Sequence, residues 1–204
     1  MRVLSLASWQ SFDPKHILWS ILLIVSAIVF AIAFSGGDWI HPAEGSRFDK
    51  DLACGIVKYI DAKDEQHTYG SLSDNPIMWW RICTVFVGIG MGILFLSAVG
   101  SIVTMVPCAQ PYQGMVHNAS AGSSILIFVG LIFFCVGFKD MVGEGDGAGC
   151  KFCGEDTSAF VLVDCTIGDH LIMCIIAVIL VSITSCVGYF IHHRRDGSNL
   201  QRTM

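Results

Sequence analysis

The chain has 204 residues, of which 53% are hydrophobic and 14% charged, with a formal net charge of −5 and a mean hydropathy of +0.64. So few charges cannot cover the surface of a water-soluble domain of this length, and an acidic balance argues against a nucleic-acid partner. A bilayer core about 30 Å thick requires about 20 mostly apolar helical residues to cross it, and this chain has the material for several crossings.

In chain order, residues 1–15 come first. Val3, Leu6, Trp9 and Phe12 recur every three residues, compatible with a short interfacial helix carrying Trp9 at headgroup level or with a frayed terminus. Pro14 suits the first turn of a helix. Four uncharged runs follow, Ile17 to Phe34, Ile82 to Val106, Ala121 to Phe138 and Leu171 to Ile191. They lack the polar residue every three or four positions that a one-sided surface helix shows. We read spans at about 17–35, 80–106, 121–138 and 170–191, in one domain covering residues 1–204. A signal peptide is the rival reading of the first run, with Ala31-Ile32-Ala33 as its cleavage site, but the run exceeds the roughly 7–15 apolar residues of such segments.

Two long polar loops, 36–79 and 139–169, separate the spans on one side, and 107–120 connects them on the other. Trp39, Trp79 and Trp80 stand where an aromatic belt belongs. Ala53 to Ile60 and Ala159 to Val163 are predicted as strands from their β-branched and aromatic content. Lys/Arg counting does not orient the chain. Arg2, Lys15, Arg194, Arg195 and Arg202 on one side face Arg47, Lys50, Lys58, Lys63, Lys139 and Lys151 on the other, with Arg81 at the edge. Cysteine placement is the better witness. Of nine cysteines, Cys54, Cys150, Cys153 and Cys165 fall in the long loops, which suits disulfides in an oxidising compartment. The long loops are therefore expected outside, with both termini cytosolic and the protein in the plasma membrane.

Motifs that carry chemistry are few. Cys150-Lys151-Phe152-Cys153 is a CxxC, but a glycine-rich loop is a poor place for an activated thiolate, and structural cysteines are the better reading. Asp140, Glu144, Asp146, Glu155 and Asp156 lack the spacing of a calcium loop and read as a solvated acidic face. No nucleophile triad, P-loop or HExxH motif occurs, so we expect no enzyme, cofactor or metal site. The spans carry no charge beyond Arg81, which argues against an ion path through them. Arg81 is expected to snorkel or to pair with a loop acid. Gly88 and Gly92 form a GxxxG spacing, read as packing within the bundle.

The segment Cys153-Gly154-Glu155, then Asp164-Cys165-Thr166-Ile167, then an uncharged helix ending in His192-His193-Arg194-Arg195, resembles the LHFPL (lipoma HMGIC fusion partner-like) tetraspans. Trp39-Ile40 after the first span matches that family too. The family motif falls here on Trp39, Gly154, Glu155 and Thr166. The resemblance implies a claudin-like fold, a left-handed four-helix bundle capped by a small extracellular β-sheet. It also implies a non-enzymatic auxiliary subunit whose partners are integral membrane channel or receptor subunits, alongside the bilayer itself and a second copy of the chain. A claudin-like adhesion or junction protein is the alternative. The family match suggests a Cys153–Cys165 disulfide. The chain departs from the family in having one cysteine, Cys54, in its first loop and an additional one, Cys150, in its second, and we expect these two to pair across the loops.

Overall fold

The computed structural model describes residues 14–44, 52–60, 65–106, 109, 112–141, 150, 153, 154 and 156–202, with the side chains of Asp74 and 191–202 left aside. The 1–13 segment, the glycine run 143–149 and Glu155 lie outside the described residues.

Four long helices carry the chain: α1 (Pro14–Ser35), α2 (Met78–Val103), α3 (Gln113–Val136) and α4 (Asp169–Arg202). Each contains a stretch long and apolar enough to cross a membrane. In hydrocarbon every backbone N–H and C=O must be satisfied internally, so such stretches fold as helices. α2 packs most extensively on α3 and α1 on α4, while α1–α2 and α3–α4 contacts close the ring. The helices bury Trp19, Leu23, Phe30, Val87, Leu94, Ile127, Phe134 and Val181 along the bundle axis. They turn Leu18, Ile28, Ile32, Leu96, Ile125, Phe128, Ile179 and Ile183 outward. Apolar residues on both sides of a helix are what a lipid-facing bundle requires.

The first loop and the end of the second supply five short strands: β1 (Ile40–Pro42), β2 (Ala53–Cys54), β3 (Lys58–Ile60), β4 (Gln66–Thr68) and β5 (Cys165–Ile167). They form one antiparallel sheet in the order β4-β3-β2-β1-β5. Bundle and sheet together are a claudin-like tetraspan fold.

Three sequence expectations are corrected here. The predicted strand at 53–60 is a tight hairpin, β2 and β3, in which the Gly55 N–H donates to the Lys58 carbonyl at 2.8 Å. The predicted strand at 159–163 belongs to no sheet. Ser158 and Val161 form an isolated bridge around a turn, and the strand that joins the sheet is β5. Gly88 and Gly92 do not pack the bundle, because a Cβ at either would meet nothing within 4 Å. The close approach is made by Gly90 and Gly130. A Cβ at Gly90 would lie 2.6 Å from Ile127 Cγ1 and 3.1 Å from the Ser123 carbonyl oxygen. One at Gly130 would lie 2.6 Å from Val87 Cγ2 and 3.3 Å from the Cys83 oxygen. Each helix thus presses a glycine against the other, and Gly88 and Gly92 stand about 200° of helical rotation away from Gly90.

Candidate functional site

The sheet is welded to the bundle at one end, and this joint is the candidate site. Cys54 of β2 is bonded to Cys150, a sequence separation of 96, with Cα atoms 5.9 Å apart. Cys153 is bonded to Cys165 of β5, with Cα atoms 5.4 Å apart. The two cysteines of the CxxC therefore belong to different disulfides. The Cys54–Cys150 bond ties the first loop to the second, and Cys153–Cys165 closes the segment leading into α4.

Beneath the disulfides lies an aromatic plug. Trp39, fully buried, donates from Nε1 to the Ala33 carbonyl at 3.1 Å, while its backbone N–H reaches the Cys54 carbonyl at 3.2 Å. One residue therefore links the end of α1, the first disulfide and the sheet. Its ring meets Phe134 edge-on at 4.9 Å, and Trp80 stacks on Phe134 at 4.8 Å. Trp80 Nε1 donates to the Phe134 carbonyl at 3.1 Å. Buried indoles need such acceptors, and both have one. Asn75, also buried, starts α2: its Oδ1 accepts the Ile77 N–H at 3.1 Å and its amide donates to the Ile56 carbonyl at 3.3 Å. Arg81 Nε donates to the Asn75 carbonyl at 2.7 Å, so the charge expected to pair with an acid or snorkel braces this turn.

The remaining motif residues are placed around the second disulfide. Gly154 N–H donates to the Val163 carbonyl at 2.8 Å, and a Cβ there would meet the Asp164 carboxylate at 2.7 Å. Thr166 lies exposed in β5, opposite His41. Thr157, buried, exchanges bonds with Val163, its Oγ1 donating to the carbonyl at 3.2 Å and accepting the N–H at 3.1 Å. In the first loop Tyr69 Oη lies 3.3 Å from Cys150 Sγ and its ring 5.2 Å from that of Tyr59. Burial, with a smaller contribution from Tyr59, pushes the Tyr69 hydroxyl well above its ordinary range.

A second constellation at the opposite end of the bundle was missed by sequence reasoning, which assigned 107–120 to a connection. His16 is buried and held from two sides. The Gln113 amide donates to Nδ1 at 2.6 Å, and Nε2 lies 3.2 Å from Thr104 Oγ1, which in turn donates to the Ser101 carbonyl at 3.0 Å. A neutral His16 protonated at Nε2 satisfies the whole chain. Trp19 stacks on His16 at 5.4 Å, meets His117 at 4.1 Å, and donates from Nε1 to the Thr184 carbonyl at 3.0 Å. Ser185 Oγ donates to Ser120 Oγ at 3.3 Å. All four helices contribute. The signal that would have found it is the set of polar residues His117, Ser120, Ser123 and Ser124 at helical spacing across the start of the third apolar run.

The model of the family described as lipoma HMGIC fusion partner-like protein matches residues 15–194. The chain is 21% identical over 196 residues to the LHFPL tetraspan subfamily member 3 protein of Danio rerio, covering 89% of this chain and 83% of the relative. It is 22% identical over 196 residues to the LHFPL tetraspan subfamily member 2 protein of Homo sapiens, covering 76% of each. With a match across all four helices and both disulfide-bearing loops, the chain belongs to the LHFPL tetraspan family, the lipoma HMGIC fusion partner-like proteins.

Proposed function

We propose that this multi-pass membrane protein is a non-enzymatic auxiliary subunit of a channel or receptor complex, gripping its partner through both the helices and the cap. The observation that supports this reading is the weld between them. The Trp39–Phe134–Trp80 plug seats the sheet on the bundle, and the two disulfides brace the loops that carry it. A partner that touches the cap and the outward helix faces therefore meets one pre-organised surface, which lowers the entropy lost on association. On α2 that outward face includes Gly88 and Gly92, where a foreign helix backbone has room to approach. Two disulfides in the cap are what an oxidising compartment favours, which supports a reading with the cap on the outer side of the plasma membrane and both termini cytosolic.

Native purification of tagged protein in mild detergent, with mass spectrometry of the co-eluting chains, tests this. A stoichiometric channel or receptor subunit in the eluate is the expected result. Elution of the protein by itself or as an oligomer, together with aggregation of otherwise non-adherent cells that express it, would replace this reading with claudin-like adhesion.

A further inference from the structure

The loop closed by Cys153–Cys165 has a polar base and an apolar tip. Asp156 and Asp164 at its base are exposed, and Thr157 staples its two sides through Val163. Ser158 and Val161 exchange two backbone hydrogen bonds of 3.0 Å, so Ala159 and Phe160 form a two-residue turn. Phe160 is 61% exposed and Val161 51%, a large aromatic and a β-branched side chain set side by side at the extremity. Phe160 also has φ 69°. A bulky side chain is strongly disfavoured there, where glycine or asparagine is the ordinary occupant, so local backbone preference does not explain its presence.

Depth along the bundle explains it. The Phe160 N–H donates to the Cys135 carbonyl at 3.4 Å, in the last turn of α3. Lys139 lies four residues further on, about 6–8 Å higher along the helical rise. Its Nζ sits 5.3 Å over the ring of Trp79, which stacks on Phe133 at 5.9 Å. A lysine on a tryptophan at the end of an uncharged run marks the headgroup level. The tip therefore folds back below that level, to the depth at which interfacial side chains bury themselves, about 5–10 Å into the headgroup and acyl boundary. We infer that Phe160 and Val161 are a membrane anchor: the tip of the second loop inserts into the cap-side leaflet and is covered by lipid acyl chains. The disulfide and the Thr157 staple hold the turn rigid, so the anchor fixes the cap against the bilayer surface.

The test uses the full-length Phe160→Trp variant in phosphatidylcholine vesicles whose lipids carry bromine either high on the acyl chain or near its end. The emission added by the substitution, taken as the difference from the wild-type protein, should fall by about half with the high bromine and less with the deep one, as an interfacial depth requires. Added emission equal in plain and brominated lipid would overturn the proposal. Blue-shifted emission that bromine leaves untouched would overturn it too, because a second protein surface would then be the cover. Val161→Trp repeats the measurement from the neighbouring position should Phe160→Trp fail to accumulate. Because the measurement needs no partner, its outcome is independent of the auxiliary-subunit reading.

Discussion

Adding one methyl group at three places on α2 separates the face that builds the bundle from the face that looks outward. In Gly90→Ala the new Cβ would lie 2.6 Å from Ile127 Cγ1, 3.1 Å from the Ser123 carbonyl oxygen and 3.3 Å from the Ile127 nitrogen. Two of those neighbours are backbone of α3, and Ile127 is fully buried, so neither can swing aside without moving the helix. Overpacking of this kind costs about 1–3 kcal/mol. In Gly88→Ala and Gly92→Ala the methyl meets nothing within 4 Å. All three changes share the gain of about 1 kcal/mol that alanine has over glycine inside a helix, so that gain cancels between sites. Gly90→Ala should therefore be about 1–3 kcal/mol less stable than Gly88→Ala or Gly92→Ala. Unfolding of the purified protein by dodecyl sulfate titrated into mild detergent, followed by circular dichroism, measures the difference. Equal midpoints for the three variants, or a loss confined to Gly88→Ala, would show that α2 faces α3 through a different surface and refute the interlock.

The disulfides should differ in worth. In the chain-entropy view, removing Cys54–Cys150 by the double change to serine costs about 4–5 kcal/mol for its separation of 96, against about 3 kcal/mol for Cys153–Cys165 with its separation of 12. Thermal unfolding of the two double variants should rank them in that order, and non-reducing peptide mapping should recover both linked pairs. Trp39→Phe keeps an aromatic ring but removes the indole donor to the Ala33 carbonyl, which then holds only the Gly36 N–H at 3.4 Å, a loss of about 1–3 kcal/mol in the same unfolding assay. The raised Tyr69 hydroxyl keeps its proton in the folded cap after the unfolded chain has lost it, so stability is complete below pH 10.0 and falls as pH rises above it. Tyr69→Phe should flatten this alkaline decline of the melting temperature, and an unchanged slope would remove Tyr69 from the cause.

The sequence by itself determined the membrane architecture, because an unbroken apolar run of about 20 residues satisfies its backbone in hydrocarbon by forming a helix and is too long for a barrel strand. It also singled out Cys54, Cys150, Cys153 and Cys165, since cysteines concentrated in two polar loops read differently from those scattered along apolar helices. The start of α3 was less legible. Hydropathy counts His117, Ser120 and Ser123 against a span, yet α3 begins at Gln113 and points them into the bundle, where they are buried. Only the tertiary structure decided which glycines pack. Gly88, Gly90 and Gly92 are equivalent as letters, and spacing favours the outer two, but the rotation of α2 against α3 turns Gly90 inward. It likewise decided the fate of Ala159 to Val163, whose composition is that of a strand. The closure of Cys153 on Cys165 and the Thr157 staple bend that segment into a turn and leave β5 to complete the sheet. Local preference is set by a residue and its neighbours along the chain. Which face is buried, and which run finds a partner strand, is set by contacts between segments far apart in sequence.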